Sequence, residues 1–449
     1  MDVAATLTLV AALTALLGCQ GEPRPPYTLP EPYIADASPD SRPPIDARDT
    51  PPEDAAPDSA PIDASPDTDA PLDSDLLDSA ADSATPDVEP DTTPPRSCDP
   101  DSPTFEDDGL TEPVMTWIPI HDAEGRAAVC NDGSPAGYYL RRGTGDGLGR
   151  WVILLAGGTI CATPEMCDAL WERAPSLMSS TLNGPTRGGG GLFDVDPERN
   201  PDFYNANHVW IPYCSSDYWS GDQAASDMTG GWHFRGTRIL MATLDDLADP
   251  ALTPAPNLYH ADEALLVGNS AGGVGLLSHL DRMAEALPCV QVRGFNDAGW
   301  GVNFETFRPN QLPIDLAATY AQGVWNGQVD QGCGDSQGLD GMCFFADVSA
   351  PHVTTPFFTY IGQQDSIQLG ALGVNQPFDE EEEAFITRYR ARLQESLSPL
   401  SGAFSPASGP HTVGGSGHFQ SFRVDGISVQ EVFGNWYFDR EGPRRLIEP

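Results

Sequence analysis

The segment Ala264-Leu-Leu-Val-Gly268-Asn269-Ser270-Ala271-Gly272-Gly273 sets a short apolar run, a glycine-flanked turn and an amphipathic stretch, Val274–Leu287, in immediate succession. The run has the length of a buried strand and the later stretch carries helical periodicity, so Ser270 falls at a strand-to-helix turn. Such a turn brings the backbone close to itself, and small residues on both sides of the serine remove the Cβ atoms that would clash. The helix start also directs unpaired amides at the oxygen of whatever the serine attacks. Gly-x-Ser-x-Gly alone is common in unrelated chains; between a strand and a helix it marks Ser270 as a nucleophile.

A nucleophile elbow of this kind implies an α/β-hydrolase fold, a mostly parallel central sheet flanked by helices. The chemistry then needs amides where a carbonyl oxygen becomes negative. An upstream strand, Trp151-Val-Ile-Leu-Leu155, runs into Ala156-Gly157-Gly158-Thr159, so Gly158 and Thr159, with the amide of Ala271 just after the serine, are expected to frame the oxyanion hole.

Chain order narrows the remaining partners, because the fold takes its acid and then its histidine after the serine. Of eight histidines, His121, His208, His233 and His260 precede Ser270, His279 lies on the following helix, and His352 precedes the favoured acid. His411 and His418 remain. The glycine-rich Gly414-Gly-Ser-Gly-His418 selects His418 as the base able to swing over the serine, whereas His411, beside Pro410, reads as a supporting loop residue. Two strands follow the nucleophile helix, Val290–Phe295 leading to Asp297 and Phe357–Ile361 leading to Asp365. The acid usually follows the second, which makes Asp365 the first choice and Asp297 the reserve, a residue of the pocket floor.

The rest of the chain is organised around this one domain. Residues 20–97 are built from Pro, Asp, Ala, Ser and Thr, lack the apolar surface to offset ordering entropy, and are expected to form a disordered acidic tether. Residues 98–449 form the catalytic domain. The formal net charge of −43 excludes nucleic acid as a natural partner. All 23 basic residues are arginine, so there is neither a P-loop lysine nor a lysine for a pyridoxal Schiff base. No cofactor and no metal site is expected.

Residues 1–19 read as a signal segment ending in Leu16-Leu17-Gly18-Cys19, which resembles a bacterial lipobox; Cys19 is then the lipid attachment site and the membrane of a bacterial cell envelope a partner, the alternative being a plain secretory signal with an incidental cysteine and a secreted protein. The usual positive n-region is absent, and Asp2 stands where a basic residue is expected. The eight later cysteines are an even number suited to disulfides after export, and the close spacings Cys161/Cys167 and Cys333/Cys343 suggest local staples.

With these residues, the domain resembles the pectin acetylesterase and Notum family from about Met115 to Trp436. The segments that carry the resemblance are Cys130-Asn-Asp-Gly-Ser-Pro-Ala-Gly-Tyr-Tyr139, Leu155-Ala-Gly-Gly-Thr159 with Cys161, Asn205–Gly221, Gly268–Gly273, Gln291–Trp300, Trp325-Asn326-Gly327 and Cys343-Phe-Phe345. The resemblance implies a serine carboxylesterase with the triad Ser270, Asp365 and His418, an oxyanion hole at Gly158, Thr159 and Ala271, and a Cys130–Cys214 disulfide. This chain departs from the family loop at Ala156 and Thr159.

An acylated substrate is expected for a monomeric, exported enzyme: an acetylated polysaccharide, or alternatively a long-chain acyl protein of the Notum kind. Trp219, Trp300, Phe344 and Phe345 are candidates to line either a sugar platform or an acyl pocket, with core packing as the default for each. A catalytically silent carbohydrate-binding protein is the reading from another class.

Overall fold

The computed structural model describes Gly109 and residues 112–308, 321–337 and 341–449. The expected signal segment, Cys19 and the acidic tether lie outside the described residues. In chain order the strands are β1 (Met115–Pro119), β2 (Gly137–Arg141), β3 (Arg150–Leu155), β4 (Thr186–Arg187), β5 (Asn207–Ile211) and β6 (Glu263–Asn269). Then come β7 (Gln291–Asp297), β8 (Phe357–Tyr360), β9 (Ala403–Ser405), a small hairpin β10 (Arg423–Val424) and β11 (Ile427–Ser428), and β12 (Arg445–Ile447).

Ten of these form one sheet in the order β12-β9-β8-β7-β6-β3-β5-β2-β1-β4. Every pairing from β12 to β5 is parallel, and the pairings β5–β2, β2–β1 and β1–β4 are antiparallel. Strands covered on both faces lose the inside/outside alternation and become continuous apolar runs. Trp151-Val-Ile-Leu-Leu155 is such a run, buried at all five positions in β3. The α/β-hydrolase architecture read from the elbow is the one observed, with β3, β6, β7 and β8 over the four segments expected to be strands.

Helix Ala271–Ala286 leaves the end of β6 and packs against β6 and β7. Its approach is set by glycines: a Cβ at Gly272 would overlap the main-chain oxygen of Leu155, and one at Gly268 would overlap that of Gly272. Helix Glu380–Leu397 begins with a capping box between Asp379 and Glu382 and buries Phe385, Ile386, Tyr389, Leu393 and Leu397, spaced as one helical face. Tyr389 reaches from that face to donate its hydroxyl to Gln368 Oε1 at 2.7 Å. Gln368 in turn sits in helix Ser366–Ala371, directly after β8, so the long helix braces the short one that carries the candidate acid.

Disulfides Cys130–Cys214, Cys161–Cys167 and Cys333–Cys343 are formed, as spacing suggested for two and the resemblance implied for the third. Cys289 is also disulfide-bonded. Trp219, Trp300, Phe344 and Phe345 are all core, none more than 4% exposed. Among the described residues no helix is long and apolar enough to cross a membrane.

Candidate active site

Ser270 adopts φ 53°, ψ −116° between β6 and helix Ala271–Ala286, a backbone conformation that a residue with a side chain rarely holds. What holds it is a 2.7 Å bond from its amide to the main-chain oxygen of Asp297, the last residue of β7. The side of Ser270 facing β3 is crowded as well, since a Cβ at Gly157 would lie 3.0 Å from the Cβ of Ser270. The loop that follows β3 therefore runs alongside the serine.

That loop is fastened at both ends. Ala156 donates to Ile211 and Cys161 to Ser216, each at 3.1 Å, while Cys161 is also tied to Cys167. The indoles of Trp219 and Trp325 donate to the oxygens of Ala156 and Cys161 at 3.0 and 2.9 Å. A Cβ at Gly158 would overlap the ring of Tyr213, whose hydroxyl accepts from the amide of Tyr218. Between the fastened ends, the amides of Gly158 and Thr159 donate to no protein acceptor among the described residues, and neither does that of Ala271. Unpaired amides at a buried turn are costly unless a ligand completes them, which is what an oxyanion hole requires.

Asp365 is 1% exposed and uses both carboxylate oxygens. Oδ1 caps helix Ser366–Ala371 by accepting from Ile367 and Gln368, each at 3.0 Å. Oδ2 accepts from Nδ1 of His411 at 2.6 Å. Fixing Nδ1 as the donor leaves Nε2 of His411 as the acceptor in the neutral ring. Burial pulls the His411 pKa down, but the charge and hydrogen bond of Asp365, with the charge of Asp297, outweigh it and hold the pKa above the ordinary histidine value.

Of the two candidate histidines, the structure sets His411 rather than His418 against Asp365. His418 is exposed at the start of the short helix His418–Ser421, and among the described residues its ring has no hydrogen-bond partner. The glycines that pointed to it serve close packing instead. A Cβ at Gly414 would lie 3.2 Å from Asp297 Oδ2, one at Gly415 would lie 3.2 Å from the Trp210 ring, and Gly191 backs against the oxygen of Gly414. His411 is the histidine on the acid.

Asp297 does more than line a floor. Its buried carboxylate accepts from the amides of Val413, at 2.9 and 3.1 Å, and Gly414, at 2.8 Å, two and three residues beyond His411. Its backbone thus holds the nucleophile and its side chain holds the histidine loop. Burial pushes its pKa up to about 7 against the pull of those two amides.

Sequence reasoning missed Asp217. This buried carboxylate accepts from Ser215 Oγ and from the amides of Trp219, Gly221 and Gly236, at 2.6 to 3.2 Å. It knots a turn in which Ser216, Tyr218 and Trp219 all take positive φ, the turn that braces the loop after β3. The only local signal is an aspartate shortly after a strand, which does not tell a knot from an ordinary turn residue.

A family model described as Pectinacetylesterase matches residues 111–448. Palmitoleoyl-protein carboxylesterase notum1' of Xenopus laevis is 33% identical over 346 residues, 74% of this chain and 68% of that protein. Palmitoleoyl-protein carboxylesterase NOTUM of Homo sapiens is 34% identical over 333 residues, 71% of this chain and 65% of that protein. The chain thus spans about two thirds of the length of these two relatives. A solved structure described as the Wnt deacylase Notum from Drosophila superposes with a TM-score of 0.68 at 30% identity, covering 75% of this chain and 96% of that one.

Proposed function

Because the chain belongs to the pectinacetylesterase family of carboxylic ester hydrolases, we propose that Ser270, His411 and Asp365 are its acyl-transfer triad. The observation that carries this is the 2.6 Å bond from His411 Nδ1 to Asp365, in a loop whose next residues hang on the same Asp297 that receives the Ser270 amide. Ser270 Oγ attacks the ester carbonyl carbon and its proton passes to His411 Nε2. Asp365 keeps the proton on Nδ1 and stabilises the imidazolium that forms. The carbonyl oxygen becomes an alkoxide facing the amides of Gly158, Thr159 and Ala271. His411 returns the proton to the departing alcohol as the C–O bond breaks, and water clears the acyl-serine by the same steps.

The substrate in this reading is an acylated molecule met outside the cell, which three disulfides among the described residues support. For the acyl group we favour acetyl on a polysaccharide. The matched family description supports it, and the four aromatic side chains considered for an acyl pocket are packed in the core. The second reading, removal of a long acyl chain from a protein, rests on the named activity of the curated relatives.

Hydrolysis of p-nitrophenyl esters from acetate to palmitate by the full chain, beside Ser270→Ala, tests both. Ser270-dependent turnover that falls sharply beyond butyrate fits the acetyl reading, and turnover that peaks at octanoate or longer fits the second. Equal, negligible rates in both proteins would sink the esterase assignment.

A further inference from the structure

Thr159 is 2% exposed, and among the described residues its hydroxyl has no hydrogen-bond partner. A buried hydroxyl left unpaired forfeits the hydrogen bonds it made to water. Such a group is tolerated where something outside the protein completes it. Here the neighbours say what that is: among the described residues the amides of Gly158, Thr159 and Ala271 are unpaired as well, and all are donors. The loop that carries them passes along Ser270 at Gly157 and is fixed at Ala156 and Cys161, so its donors are held in place before any substrate arrives.

We propose that the Thr159 hydroxyl is an additional oxyanion donor, a side-chain O–H that hydrogen-bonds the carbonyl oxygen of the ester as it becomes negative. The proposal rests on the esterase reading above. It assigns Thr159 a role its amide alone does not have. No bond to Thr159 forms or breaks; the hydroxyl keeps its proton and releases the oxygen when the carbonyl is restored. Pre-positioned donors of this kind act mainly on the transition state, so their loss lowers turnover more than binding.

The test compares Thr159→Val, which keeps the shape and removes the O–H, with Thr159→Ser, which keeps the O–H, in the full chain. Expected for Thr159→Val are a kcat on p-nitrophenyl acetate lower by on the order of 10²-fold with KM little changed, and inactivation by diethyl p-nitrophenyl phosphate slowed in parallel. Its Tm should be unchanged or raised, because an orphan polar group has been removed, and Thr159→Ser should stay within about 5-fold of the parent. The proposal is overturned if Thr159→Val turns over like the parent, or if both variants lose activity together with Tm, which would mean packing alone. A parent protein without Ser270-dependent hydrolysis would instead bring down the esterase reading and this proposal with it, an outcome visible before either Thr159 variant is compared.

Discussion

Asp365 divides its two oxygens between His411 and the first turn of helix Ser366–Ala371, accepting from the imidazole at 2.6 Å and from two backbone amides at 3.0 Å. The helix therefore fixes the carboxylate and the carboxylate fixes the ring. Both of its oxygens are committed, so the orientation of His411 is set before substrate binds.

The first consequence separates the two candidate histidines. His411→Ala should lower kcat/KM on p-nitrophenyl acetate by about 10²–10⁴-fold, the range for loss of a positioned base. His418→Ala, which removes an exposed ring without a hydrogen-bond partner among the described residues, should stay within about 2-fold. The reverse ranking would return the base to His418.

Charge on Asp297 should be visible in the pH profile. His411 acts as a base only when neutral, and its pKa is held above the ordinary value, so the acid limb of kcat/KM should fall at a pH above ~6.5. Asp297, itself pushed up to about 7, acts on the ring only where it is ionised, so Asp297→Asn should move that limb to lower pH by less than loss of the Asp365 charge would. An unmoved limb would reduce Asp297 to a backbone clamp.

The same shift has a stability sign. A histidine whose pKa is higher in the folded state contributes stability that is fully present below its unfolded pKa, near 6.5, and is lost as pH rises through the folded value. The difference in urea midpoint between the parent and His411→Gln should accordingly be larger at pH 6 than at pH 9. A difference that grows with pH would contradict the raised pKa.

Gly158→Ala should disable the enzyme without unfolding it. Its Cβ would overlap the Tyr213 ring, so either the ring or the loop must shift. Overpacking of this kind costs about 1–3 kcal/mol. The displaced amides should lower kcat by on the order of 10²-fold, the size of one lost oxyanion donor. A variant with parental kcat and a lowered Tm would separate the glycine from catalysis.

The disulfides should divide their effects by position. Cys130–Cys214 spans 84 residues and Cys161–Cys167 only 6, so chain entropy makes the first worth about 2 kcal/mol more. Replacing Cys161 and Cys167 with serine should cost less in denaturant midpoint yet more in kcat, since that bridge fastens the loop beside Ser270. Denaturation curves and kcat for the two double variants check the ranking.

Local physics was enough for a large part of this molecule. A strand, a turn that admits only small residues and a helix follow one another within a few residues, so Ser270, its flanking glycines and Ala271 are legible in the sequence, as are the buried strands through their unbroken apolar runs. Asp365 was reachable because order along the chain is a property of the chain itself. The choice between His411 and His418 was not: the two lie only seven residues apart, and what distinguishes them is a contact 46 residues away in sequence and a carboxylate, Asp297, more than a hundred residues upstream. The glycines around His418 looked like freedom to move and proved to be room for Asp297, Trp210 and Gly191 to pack. Short-range signals report which conformations a segment tolerates. Which imidazole meets the acid, and which donors are left unpaired beside the serine, depends on long-range packing that only the folded chain brings about.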